Sequence, residues 1–288
     1  MTMFDRYISI DWSGAGTETD RVDLRVVMME RGRAAQVVNP PGARRGVCRW
    51  TRLECRNWLV EVLSERNLRT IVALDFGFGL PWGADRQVFD CDGWRGMLER
   101  IGDLYSEKQT ARAVAQFVNA QKQFNGHGPY RFNDNRTDFR FYLDRQVAYY
   151  RLVEQAIPQA ISQWYLGSGG VVGFHTITGL AMIEHLIGLR EQDRIEFQVW
   201  PHEIVGPDGT RHLLVESYPA ICPRPEGVGP CEDKHQRDAW KVLLWMIEAD
   251  ERGELARAFK VPSIMYGRCS GVSVEEQIRF EGWIFGVI

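Results

Sequence analysis

Four carboxylates in this chain stand where chemistry could use them. Asp11 closes the run Tyr7-Ile8-Ser9-Ile10-Asp11, and Asp75 follows Ile71-Val72-Ala73-Leu74. Glu216 closes Leu213-Leu214-Val215-Glu216, and Asp238 sits near the start of an apolar helical stretch. Carboxylate oxygens are hard donors that suit Mg2+ or Mn2+. Two such ions about 4 Å apart activate a water and stabilise the leaving oxygen of a phosphodiester, provided three or four acids converge from separate elements. Acids brought that close repel one another, so such a site needs cations at neutral pH. Each acid also has a plainer reading, because an Asp after a strand often forms a turn or caps a helix. Glu216, with Ser217-Tyr218-Pro219 behind it, could equally pair with an arginine.

The elements that must position these acids are legible in part. Residues 6–11 form a strand with Ile8 and Ile10 on one face and Tyr7, Ser9 and Asp11 on the other. Residues 23–30 and 34–38 continue as strands around the Arg31-Gly32 turn, which gives an antiparallel meander. Thr51-Arg52-Leu53-Glu54 is a capping box, and Cys55, Trp58, Leu59, Val62 and Leu63 follow at helical spacing. Ile71–Leu74 is apolar throughout, as a central strand covered on both faces should be.

Residues 81–166 read as a helical, arginine-rich insertion, with one helix around Val114, Phe117, Val118 and Gln121 and another over Phe139–Ile157. Asn125–Pro129 reads as a loop and Gly167–Gly170 as a flexible joint. Leu180, Ile183, Leu186 and Ile187 mark a further helix. Ile195–Trp200 and Leu213–Glu216 read as strands joined by a hairpin turn at Gly206-Pro207-Asp208-Gly209. Asp233 caps the helix that carries Asp238, whose spacing with Val242, Trp245 and Ala249 predicts that it points with the buried face. Ser273-Val274-Glu275-Glu276 is a last capping box.

Composition narrows the class. The 288 residues are 44% hydrophobic and 25% charged, as expected of a globular α/β protein, and the net charge of −3 supplies no global basic field. Arg131, Arg136, Arg140, Arg145 and Arg151 crowd one segment and could form a local basic patch. No apolar run reaches the roughly 18 residues of a spanning helix, and no signal-peptide core precedes the first strand, so a cytoplasmic location is expected. The six cysteines form no C-x-x-C pair and are expected as free thiols. The ten tryptophans fall mostly within apolar stripes and are expected in the core.

Secondary candidates for substrate contact are Ser13, Gly14, Arg136, Arg140 and His235. Ser13 could hydrogen-bond a phosphate or only shape the turn. Arg136 and Arg140 flank Asp138 and could grip phosphates, or belong to a salt-bridged helix start. His235, one turn before Asp238, could contact a phosphate or metal, or stay solvated.

The chain resembles a large family of predicted RNase H-like nucleases. The matching stretches are Ile10-Asp11-Trp12-Ser13-Gly14-Ala15, Ala73–Pro81, Val215-Glu216-Ser217-Tyr218-Pro219-Ala220 and Arg237-Asp238-Ala239. The resemblance implies an RNase H-like mixed five-stranded sheet with helices on both faces, one domain over residues 1–288, and the insertion at 81–166. It implies metal-dependent phosphodiester cleavage by Asp11, Asp75, Glu216 and Asp238, with Mg2+ or Mn2+ as cofactor and a nucleic acid or nucleotide as partner. Two other readings share the residues. An actin-like or sugar-kinase phosphotransferase would use the Gly-rich stretches after Asp11 and Asp75 to hold ATP. A non-catalytic binding protein would keep the acids as structure.

Overall fold

The parallel pairing of two buried strands sets the architecture. β1 (Arg6–Asp11) runs beside β4 (Thr70–Leu74) in register Ile10 to Leu74. A computed structural model describes residues 2–43, 48–124, 128–132, 140–167, 172–204, 206, 211–223, 233–261 and 271–288. On its other side β1 pairs antiparallel with β2 (Arg25–Glu30), which pairs antiparallel with β3 (Gln36–Val38). Beyond β4 lies parallel β6 (His212–Glu216), and the short β5 (Gln198–Val199) forms the edge. Among the described residues the mixed α/β sheet therefore has six strands, ordered β3-β2-β1-β4-β6-β5, where five were expected.

Helices cover both faces. These are α1 (Arg52–Ser64), α2 (Gly93–Lys108), α3 (Ala111–Asn119), α4 (Arg140–Arg145), α5 (Leu152–Ala156), α6 (Gly173–Glu191), α7 (Lys234–Glu251) and α8 (Val274–Glu281). Strand alternation sorts the side chains into two cores. Ile8, Ile10, Val72, Leu74 and Leu214 join Leu59 of α1, Leu98 of α2, Val114 of α3 and Ile183 of α6. Tyr7, Ile71, Ala73, Leu213 and Val215 join Val242, Leu243 and Met246 of α7. A one-residue slip of β1 would exchange these two sets, so burial on both faces specifies the register. Segment 81–166 supplies α2 and α3 to the same core as the sheet.

Several local expectations change. Phe139–Ile157 is not one helix among the described residues. α4 ends, Gln146 takes φ 55°, and the Ala148 N–H donates to the Trp82 carbonyl before α5 begins. β5 and β6 are parallel, so they form no hairpin. Glu203 draws the chain off the edge by accepting from the Val199 N–H and pairing with Arg190. Of the expected turn only Gly206 lies within the described residues. Phe117 is exposed and carries the Lys108 ammonium over its ring. Ser273 caps α8 by accepting from the Glu276 N–H. Cys55, Cys91 and Cys222 are free thiols and Cys48 is in no disulfide; Cys231 and Cys269 lie outside the described residues. No helix among the described residues is long and apolar enough to cross a membrane.

Buried Asp250, at the end of α7, ties down the entry to β1. Its carboxylate accepts from the Met3 N–H at 2.8 and 3.0 Å and from the Tyr7 hydroxyl. Asp250→Ala strands these donors, and urea unfolding should show a loss of about 3 kcal/mol; an unchanged midpoint would rule the clamp out as a source of stability.

Candidate active site

Asp11 and Asp75 leave the carboxyl ends of β1 and β4 on the face covered by α7. They share the parity of Tyr7, Ile71 and Ala73, whose side chains pack there. Asp75 is held by its own backbone, the N–H donating to the Ile10 carbonyl at 3.1 Å. From above comes the first turn of α7, capped by Asp233, which accepts from the Gln236 N–H and pairs with buried Arg25. This turn delivers His235, whose Nδ1 lies 2.8 Å from Asp11 Oδ1. One turn on, Asp238 pairs with Lys241 at 2.6 Å. Asp238 sits at the border of the buried face, because Gln236, Ala239, Val242 and Leu243 point inward instead. Its charge is compensated locally rather than isolated.

Electrostatics separate the acids. Burial, followed by the charge of Asp238, pushes Asp11 up to about 6 against the His235 hydrogen bond. Asp75 is held well above the ordinary range by burial and by the charges of Asp11, Asp238 and Glu216. Among the described residues its carboxylate has no hydrogen bond, and the charge of Lys234 opposes the shift. His235 is raised by its bond to Asp11. His175, in the first turn of α6, is lowered to about 4 by burial and by His235 and Arg52.

Glu216 is placed differently from the aspartates. It pairs in register with Leu74, so alternation turns it to the face opposite Asp75. Both of its oxygens are taken by Arg151, at 2.6 and 2.8 Å, and Oε2 also accepts from the Phe78 N–H. Arg151 is fully enclosed; its Nε donates to Glu154 and its Nη1 to the Glu281 carbonyl. This network fixes the backbone that follows Asp75. Buried Glu281, raised to about 7 by desolvation, belongs to it by accepting from the Leu152 and Trp82 N–H groups.

The glycines expected as phosphate cradles are occupied by protein. A Cβ on Gly14 would come within 2.3 Å of the Phe174 backbone in α6. On Gly77 it would meet Gln163 at 2.7 Å, and on Gly79 the Glu281 carbonyl at 2.6 Å. The Ser13 carbonyl accepts from Arg52, and its hydroxyl accepts from the Ala15 N–H at 3.5 Å, so this residue shapes the turn. Arg136 lies outside the described residues, as does the side chain of Arg140. Arg151 is an interior residue, not part of a surface patch.

Among the described residues, no three His, Cys, Asp or Glu side chains are arranged to hold a metal ion. The expected convergence of four acids is therefore not preformed: His235, Lys241 and Arg151 each engage one of them. The donor chemistry of Asp11, Asp75 and Asp238 fits a hard cation, and among the described residues the Asp75 carboxylate has no compensating hydrogen bond. Comparisons with protein-family models, curated proteins and solved structures returned no match.

Two outcomes follow. Asp75→Asn relieves repulsion and should stabilise the metal-free protein by at least about 1 kcal/mol in urea unfolding; a loss would make Asp75 a structural anchor. The pH response has a definite sign. The native Asp11 binds its proton up to about 6, against about 3.9 in an unfolded chain. Native protein holds the extra proton between those values, so this contribution to stability falls as pH rises. His235 acts in the same direction, because its raised value means that the native state keeps this proton to higher pH than the unfolded chain does, a contribution lost as pH climbs through the native value. Stability measured from pH 4 to 8 should decline more in wild type than in Asp11→Asn; parallel curves would remove Asp11 as the source.

Proposed function

We propose that this chain is a divalent-metal-dependent phosphodiesterase acting on a nucleic acid or nucleotide. The observation that carries this reading is the desolvated pair of Asp11 and Asp75 on neighbouring parallel strands, faced by Asp238 from α7. The order β3-β2-β1-β4-β6 supports an RNase H-like fold, with β5 added at the edge. Asp11, Asp75 and Asp238 would hold Mg2+ or Mn2+. The ion, when bound, supplies activation of water and charge stabilisation at the leaving oxygen.

The chain's own groups do the rest. His235 orients the Asp11 carboxylate through its hydrogen bond. Lys234, which already lowers the Asp11 and Asp75 values, offsets carboxylate repulsion and can meet a phosphate. Glu216 and Arg151 hold the backbone at Phe78 and so steady the Asp75 turn; Glu216 acts here by position rather than as a ligand. The filled spaces at Gly14, Gly77 and Gly79 weigh against an ATP-binding reading. A non-catalytic binding role is favoured by one observation, the pairing of Asp11 with His235 and of Asp238 with Lys241.

Calorimetric titration of EDTA-stripped protein with Mn2+ decides between these. Saturable binding weakened at least about tenfold in Asp11→Asn, with Mn2+-dependent hydrolysis of bis(p-nitrophenyl) phosphate lost in the same variant, is the expected result. No binding and no hydrolysis in wild type would favour the non-catalytic role.

A further inference from the structure

Asp11 and Arg25 stand directly opposite one another in the antiparallel pairing of β1 with β2. Opposed residues project to the same side of a sheet, with Cβ atoms about 5 Å apart. Both side chains therefore belong to the face covered by α7. A carboxylate and a guanidinium in this relation are natural partners, yet among the described residues Arg25 gives Asp11 no hydrogen bond. Its Nη2 donates to Asp233, and its Nη1 donates to the Leu24 carbonyl at 3.1 Å. Asp11 is bonded by His235 instead, at 2.8 Å.

The pairing is thus crossed between sheet and helix. Asp233 and His235 lie two residues apart at the start of α7, so two neighbours on the strands hold two neighbours on the helix. One contact would let a helix end pivot; a second fixes its rotation as well as its height. The apolar packing of α7 starts further along, at Ala239, and continues through Val242, Leu243 and Met246. Ahead of that packing, polar contacts tie down the turn that carries His235.

Arg25 is enclosed, at 2% exposure, and its Nε has no partner. Asp23 lies 3.9 Å away and is itself held by Arg49 at 3.0 Å. The charge of Arg25 is therefore met chiefly by Asp233. A carboxylate with that role cannot move off without stranding a buried cation, which is strongly unfavourable. Asp233 is held from the helix side as well, because it caps α7 by accepting from the Gln236 N–H at 2.8 Å.

We propose that Arg25 is a positioning residue of the candidate active site: through Asp233 it fixes where the first turn of α7 rests on the strand ends, and so holds His235 on Asp11. Its effect on metal binding rests on the phosphodiesterase reading; its effect on His235 does not.

The test uses the full chain. In EDTA, at a pH high enough to leave the imidazoles neutral, side-chain NMR of the histidines reports which ring nitrogen carries the proton, a choice set by the hydrogen bonds of the ring. Wild-type His235 should keep its proton on Nδ1, the atom that faces Asp11. Arg25→Gln should lose that preference, and its Mn2+ affinity in calorimetry should fall about tenfold, as when an orienting group behind a metal ligand is removed. Asp233→Asn keeps a good helix cap but not the charge, and should follow Arg25→Gln in both readouts. Arg25→Lys keeps the charge and should recover part of each. A purely structural role would lower the unfolding midpoint of Arg25→Gln and leave the His235 signal as in wild type, and that result overturns the proposal. Should Arg25→Gln fail to fold, a wild-type His235 signal in Asp233→Asn overturns it equally. Absence of Mn2+ binding in wild type would remove the phosphodiesterase reading and leave the imidazole spectra to decide on Arg25.

Discussion

One buried guanidinium joins three parts of this chain that lie far apart in sequence. Arg151 begins α5, Glu216 ends β6, and the Glu281 carbonyl ends α8. Enclosing a charge costs several kcal/mol, and only well-formed ion pairs and hydrogen bonds offset that cost. Here Glu154 and Glu216 supply the pairs and Gln163 completes the shell around Glu154. The turn after Asp75 is fastened to this cluster through the Phe78 amide. The position of the candidate catalytic acid therefore depends on a charge balance struck on the opposite face of the sheet.

The two faces of that sheet edge solve different problems. On the α7 side, carboxylates are crowded and undercompensated, the condition that makes a group responsive to protons and cations. On the other side, acids and arginine are matched closely enough to act as a rigid mount. On the α7 side Lys241 is a built-in cation paired with Asp238, and His235 hydrogen-bonds Asp11. A resident cation of this kind lets the acids remain folded together without a ligand, and any incoming ion has to compete with it.

Much of this was readable in the chain. β1 and β4 announce themselves as apolar runs, and the Thr51–Glu54 box and the Asp233 cap start α1 and α7 as expected. The parity of Asp11 with Tyr7 was visible too, but Glu216 is paired with Leu74 and not with Ala73, and strand register is a tertiary fact. Arg151 looked like one more arginine in a basic segment; only the arrival of β6 and α8 makes it interior. Of the stripe read on α7, Val242 is in the core, but Trp245 sits at the border beneath Gly286 while Met246 fills the core. His175 gave no signal, because the burial and the charge of His235 that lower it are tertiary, and Gly14 carries the close approach of α6 at that turn.

The Asp250 clamp has a consequence for how the protein is made. The amide of Met3 and the carboxylate that receives it are 247 positions apart. At ribosomal rates of roughly 5–20 residues per second, the first strand waits about 12–50 s for its anchor. During that interval β1 and β4 can pair, but the face that α7 will cover, with Tyr7, Ile71 and Ala73 on it, stays open to water and to neighbouring chains. The molecule is thus closed late, by a helix near its far end, and its most vulnerable state in the cell is the nascent sheet that has its strands but not yet its lid.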